Sequence, residues 1–202
     1  MGFSRSLLVI VGILLSLAAA GCTAERGDRT ASTTPSTDLT DAAHQVVSAF
    51  RTEDGERLAR LVHPKKGVRF SPYAYVEVVE DQVFSSTQMA RFWRDPQTYR
   101  WGVADGTGDP IELTPAQYAE RFVMDRDFGH PTSIAIDRDR AYGNTVNNAA
   151  EVYPQARRVE FYVAPGPGQG QPAFDWAALR LVFEQLDGAW YLVGVIHDQW
   201  TT

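Results

Sequence analysis

The side chains best suited by type to proton transfer are Asp198 and His197, neighbours near the end of a 202-residue sequence. Burial desolvates a carboxylate and raises its pKa toward that of a general base, whereas a histidine titrates near neutrality unaided. Both residues stand in a largely alternating run, 190–198, separated from a similar run, 179–185, by Asp187-Gly188. That dipeptide signals a two-residue type I′ turn, so the two runs are expected to pair as a hairpin. A regular ladder sets Glu184 opposite Tyr191, Val182 opposite Val193, Arg180 opposite Val195 and Leu179 opposite Ile196. One face then carries Leu179, Leu181, Phe183, Trp190, Leu192, Ile196, Asp198 and Trp200, and the other carries Arg180, Val182, Glu184, Tyr191, Val193, Val195 and His197. Asp198 is expected as a carboxyl on an otherwise apolar face, or else just beyond the sheet end in water, the commoner fate of such a group. His197 falls on the opposite face, so the two cannot act on one substrate without a bulge.

Other residues suit binding. Arg69 lies in the alternating stretch Val68-Arg69-Phe70-Ser71, and either it or a nearby tyrosine could assist Asp198 in isomerase, dehydratase or hydrolase chemistry. Tyr73, Tyr75, Trp93, Trp101 and Trp200 could line a pocket for a flat or carbohydrate-like ligand, although large aromatics usually serve as core. Asn144, Asn147 and Asn148 could hydrogen-bond a sugar or peptide, or form Asx turns ahead of Tyr153-Pro154. The candidate ligand contacts are accordingly Arg69, Tyr73, Trp101, Asn147 and Trp200.

Several chemistries lack their residues. His44, His63, His130 and His197 are scattered, with no His-x-His, no His-Glu-x-x-His and no thiol partner, so no dedicated metal site is expected. Asp105-Gly106-Thr107-Gly108-Asp109 lacks the alternating oxygen ligands of a calcium loop and reads as a glycine-rich hairpin turn. Asp125-Arg126-Asp127 and Asp137-Arg138-Asp139-Arg140 read as solvated, self-paired turns. No Gly-x-Ser-x-Gly elbow is present, and Gly166 to Gly170 is no phosphate loop, so nucleophilic catalysis and a bound cofactor are not expected.

Nineteen basic against 25 acidic residues give a net charge of −6. An acidic body argues against nucleic acid and against adsorption to anionic lipid, both of which need clustered Lys or Arg. At 44% hydrophobic and 11% aromatic the chain is too apolar for disorder and carries no internal repeat.

The first twenty-one residues read as a signal peptide: Arg5, an apolar run from Leu7 to Leu17, then Ala18-Ala19-Ala20-Gly21. Cys22, the single cysteine, follows at once. Ala19-Ala20-Gly21-Cys22 resembles the lipobox of bacterial lipoproteins, with Ala19 where Leu is usual. The resemblance implies that Cys22 is lipidated on sulfur and becomes the new N-terminus, which anchors the protein in a cell membrane or envelope surface without a spanning helix. The apolar run is shorter than the ~20 residues such a helix needs. Residues 22–37 have no hydrophobic period and read as a tether, and residues 38–202 suit a single domain.

Caps and periodicity outline that domain. Leu39, Ala42, Ala43, Val46 and Phe50 fall at helical spacing behind Thr37 or Asp38, and Asp54 can cap a second helix stopped by Pro64. Ser85 with Gln88, and Thr114-Pro115 with Gln117, are capping boxes for two more. Strands are expected at 68–71, 99–103 and 159–163 and in the C-terminal hairpin. Two helices, a short strand, a helix and then long antiparallel strands resemble the NTF2-like superfamily, an α+β cone or roll in which a curved sheet wraps N-terminal helices. The resemblance spans residues 38–202, rests on element order and on the opening at Asp54 to His63-Pro64, and implies a pocket between sheet and helices. The helix at Pro115 is an addition to that plan, expected as a lid or an embellishment. Fold leaves three functions open: a non-catalytic domain binding a small ligand or an envelope protein, an enzyme using Asp198, or an accessory that forms a homodimer through an open sheet face carrying Arg180, Val182, Tyr191 and Val193.

Overall fold

The computed structural model describes residues 34–138, 143, 145–166 and 174–201, together with Met1 and Gly2. The chain divides into Met1–Thr30 and Ala31–Thr202, and the architecture below is that of the second unit. Cys22 and the leader lie outside the described residues, as do Tyr142, Asn144 and residues 167–173. Among the described residues no helix is long and apolar enough to cross a membrane.

The N-terminal helices follow their local signals. Helix α1 (Leu39–Arg51) starts where the Asp38 side chain accepts from the Asp41 amide at 2.9 Å, and it buries Leu39, Ala42, Ala43, Val46 and Phe50 on one side. Helix α2 (Gly55–Leu61) is capped by Asp54 through the Arg57 amide. Strand β1 (Val68–Ser71) leads through residues 72–81 to strand β2 (Gln82–Phe84). The Ser85–Gln88 capping box opens α3 (Ser86–Met89), shorter than its sequence suggests because Phe92–Arg94 forms a separate 3-10 turn. Strands β3 (Tyr99–Val103) and β4 (Pro110–Leu113) form their own hairpin around the Asp105 to Asp109 turn. Helix α4 (Pro115–Phe122) has the expected Thr114 box and proline start. Its Tyr118, Ala119 and Phe122 are buried in the main core, so it packs as part of the body of the domain rather than as a lid.

The remaining elements are β5 (Ser133–Ile136), α5 (Ala149–Val152), β6 (Arg157–Val163), β7 (Ala177–Leu186) and β8 (Ala189–Gln199). Six strands make one sheet in the order β2-β1-β8-β7-β6-β5. Every pair is antiparallel except β1 with β8. The architecture is α+β.

The β7–β8 turn forms at Asp187-Gly188, both with positive φ, and Glu184 faces Tyr191 as the turn dictates. One step further the register breaks. Phe183 faces Leu192, but Val182 faces Gly194, leaving Val193 as an extra residue. Arg180 therefore faces Ile196, Leu179 faces His197 and Ala178 faces Asp198. The bulge exchanges the two faces for everything beyond it, which corrects the regular ladder. The strand is closely covered at the bulge: a Cβ at Gly194 would lie 3.1 Å from Val182 Cγ2 and 3.2 Å from the Tyr153 hydroxyl oxygen. A larger residue there would need these side chains to give by a few tenths of an ångström, and a bulge also sharpens twist at that point.

The helix-facing side of the sheet carries Phe70, Val159, Phe161, Leu179, Leu181, Phe183, Leu192 and Val195 against α1, α2 and α4. The other side is covered by residues 72–81 and 145–156. Asn148 fastens these two segments together, accepting from the Val76 amide at 2.7 Å and donating to the Val76 carbonyl at 3.1 Å. Val76, Ala149 and Ala156 then pack on Val182, Val193 and Ile196. Arg180, Val182 and Val193 are buried by the chain itself, so the sheet face expected to be open for dimerisation is covered.

Candidate functional site

A cavity of about 750 Å³ opens at the C-terminal end of β8. Its walls are the 72–81 segment, the β3–β4 turn, residues 145–146 and the last residues of β8. Tyr73, Glu77, Asp81, Trp101, Asp105, Thr145 and Asp198 all contribute to the lining. A depression of about 900 Å³ beside α4 is larger, but charges of both signs line it and its titratable groups show no buried convergence.

Asp198 sits inside β8 and is only 1% exposed, neither past the sheet end nor on the apolar face. It shares the loop-facing side with Arg180, whose Nη2 lies 3.6 Å from Asp198 Oδ2 while donating to Glu160 Oε2 at 2.7 Å. Both Asp198 oxygens are buried, with Arg180 in ion-pair range and Thr145 a hydrogen-bonding neighbour of the carboxyl. Burial pushes its pKa up to about 6, an increase that Arg180 and His197 partly offset.

Asp81, which sequence patterning did not single out, is the second buried carboxyl of this wall. Its Oδ2 accepts from the Ser71 hydroxyl and from the Glu77 amide. Burial raises its pKa to about 7 against the lowering effect of the Ser71 bond and of Arg69. Ser71 faces Ile196 across the parallel β1–β8 pair, two residues from Asp198, which brings both carboxyls to the same end of the sheet. Beneath the wall, Tyr118 is fully buried with no partner for its hydroxyl, and burial holds its pKa well above the usual phenol value.

The remaining candidates divide. Tyr73 lines the cavity, and its hydroxyl accepts from the Asp105 amide at 3.2 Å. Trp101 touches the cavity but is a core residue: it stacks on Tyr118 at 3.8 Å and on Phe84 at 5.5 Å, and its Nε1 donates to the Leu113 carbonyl. Both of its faces are occupied. Arg69 is outside the lining; its Nη1 donates to the Val78 carbonyl at 2.8 Å and approaches that of Asp81, holding the turn that presents Asp81. Asn147 is outside as well, accepting from the Ala149 amide at the start of α5, the Asx-turn role. Trp200 packs on Phe174 and borders an adjoining cleft.

His197 corrects the proton-transfer expectation. The bulge turns it toward the helices, where it is fully buried edge-on to Phe122. Its Nδ1 is 3.2 Å from the Pro72 carbonyl and its Nε2 is 3.2 Å from Asp125 Oδ1. Asp125 is thus no solvated turn residue; its largely buried side chain reaches the end of β8. His197 ties the strand to the chain entering the 72–81 segment and does not reach the cavity wall. Among the described residues no three His, Cys, Asp or Glu side chains converge as a metal site would.

No family model matches this chain. No curated protein matches it either. Among solved structures, a designed NTF2-like protein is similar at 14% identity, over 79% of this chain and 99% of that one, with a TM-score of 0.34. A superposition that loose carries no argument about fold or activity.

Proposed function

We propose that this protein is a lipid-anchored component of a bacterial cell envelope whose folded domain, an NTF2-like roll, binds a small molecule without transforming it. The observation that carries the binding reading is the cavity at the end of β8, about 750 Å³ and so the size of small-molecule sites, with Tyr73, Asp81 and Asp198 in its wall. The roll assignment is supported by two helices ahead of a sheet whose first strand pairs in parallel with its last. The anchor is supported by Cys22 directly after Ala19-Ala20-Gly21 and the apolar run. Two acyl chains on one residue give stable tethering.

Native mass spectrometry of the full-length protein extracted from its own envelope tests the binding reading. A reproducible adduct that disappears in Asp198→Asn supports it, and empty protein from several growth conditions removes it. Membrane fractionation of Cys22→Ser tests the anchor separately: the variant should move to the soluble fraction, and retention in the membrane rejects lipidation as the tether.

A second reading rests on the two carboxyls together. Asp81 near 7 and Asp198 near 6 titrate in the range where one can hold a proton while the other accepts one, as an isomerase or dehydratase requires. Conversion of the recovered molecule by wild type and not by Asp198→Asn would favour this reading over simple binding.

A further inference from the structure

We infer that His197 is carried as an imidazolium, a buried cation that clamps the end of β8 to two other stretches of the chain. The inference does not depend on the binding reading and concerns what holds the cavity wall in place. The ring is fully buried, so both of its nitrogens must find partners inside the protein. Nδ1 lies 3.2 Å from the Pro72 carbonyl oxygen, an atom that only accepts, which puts a proton on Nδ1. Nε2 lies 3.2 Å from Asp125 Oδ1, and neither of these two buried atoms hydrogen-bonds to anything else. A neutral ring that donates through Nδ1 has only a lone pair left at Nε2, and a lone pair facing a carboxylate oxygen at this distance is repelled. With a second proton on the ring, the same contact becomes a buried ion pair.

The surrounding charges favour placing that proton on His197 rather than on Asp125. Arg126 Nη1 stands 3.7 Å from Asp125 Oδ2 and favours the ionised carboxylate. Asp198, the next residue on the strand, attracts a cation at His197, just as His197 favours its ionised form. Arg180 of β7, which would oppose a further cation, is engaged by Glu160 of β6 and by Asp198. Phe122 of α4, edge-on to the ring, Leu179 opposite it on β7 and Pro72 bring no charge.

The clamp joins stretches far apart in sequence. Pro72 opens the 72–81 segment that walls the cavity, Asp125 follows α4, and His197 stands near the end of β8. A neutral ring could donate to one of these partners only, so the seating of the wall rests on a single retained proton.

The test is nitrogen NMR of the histidine rings in the full-length protein, in detergent at pH 7.5, where an unperturbed histidine is mostly neutral. His44 and His130 are exposed, and His63 accepts at Nδ1 from the Lys65 and Lys66 amides, so His63 gives an internal reference for a bare nitrogen. His197 should show both ring nitrogens protonated. Asp125→Asn replaces the carboxylate by a group that can donate, so there His197 should become neutral, with its proton kept on Nδ1 and Nε2 bare. A neutral His197 in the wild type, or a doubly protonated one in Asp125→Asn, overturns the inference. His197→Gln should quicken amide exchange across residues 72–81 by ~10-fold and leave α1 unchanged, and unchanged exchange in 72–81 overturns the clamp. Should His197→Gln fail to fold, the wild-type and Asp125→Asn spectra decide.

Discussion

The two faces of the six-stranded sheet are built on different principles. On the helix side, Phe50, Phe70, Phe84, Phe92, Trp101, Tyr118 and Phe122 form a continuous aromatic network, with Phe70 alone in ring contact with five of its neighbours. On the loop side, Glu160, Arg180, Asp198, Ser71 and Asp81 form a buried polar belt with a cavity at one end. The first face is held mainly by packed rings and loses free energy when atoms are removed. The second responds to protons, because charges there are held out of water.

Breaking the aromatic face should have the largest effect. Trp101→Ala removes the ring between Tyr118 and Phe84 and should cost about 4 kcal/mol in urea denaturation. The cost should be the same at pH 5 and pH 8, since no titrating group changes partner. Arg180→Met leaves Glu160 and Asp198 buried without their cation and should cost about 3 kcal/mol at pH 8. Here the two pH values should differ, with a smaller loss at pH 5, where the orphaned carboxyls can protonate. Equal losses at both would mean that the belt is as indifferent to pH as the core.

Asp81→Asn should sharpen the contrast with the opposite sign. In the folded protein the Asp81 pKa is raised to about 7 from 3.8, so between those values the folded state binds more protons than the unfolded one. Stability from this group is full below about pH 4 and is lost as the pH rises to about 7. The variant lacks that loss and should be about 2 kcal/mol more stable than wild type at pH 8, with little difference at pH 4. The smallest effect belongs to Asn148→Ala, about 1 to 2 kcal/mol from the two bonds to Val76. Amide exchange should quicken across residues 72–81 and stay unchanged in α1, because the segment is held to the belt and not to the aromatic core.

What was legible in the sequence follows the same division. Asp38, Asp54, Ser85 and Thr114 cap helices through contacts within three residues, and Asp187-Gly188 sets its turn from within, so each signal is local and each is found where it was expected. The site depends on distant contacts. Asp81 is buried because Ser71 and Glu77 receive it, and Asp125 because His197 lies 72 positions along the chain. The faces of His197 and Asp198 depended on one residue, Val193, which shifts the ladder. Gly194, alone within an apolar strand, was the available sign of that bulge. Arg69 and Asn147 have the right chemistry for binding, but backbone atoms nearby claim Arg69 Nη1 and Asn147 Oδ1.

Strand β8 has a consequence for how the protein comes into being. It lies between β1 and β7, yet it follows both in sequence. Until residues 189–199 leave the ribosome, β1 and β7 have no common neighbour and the cavity wall lacks Asp198. The nascent chain thus stays open until its final strand is made.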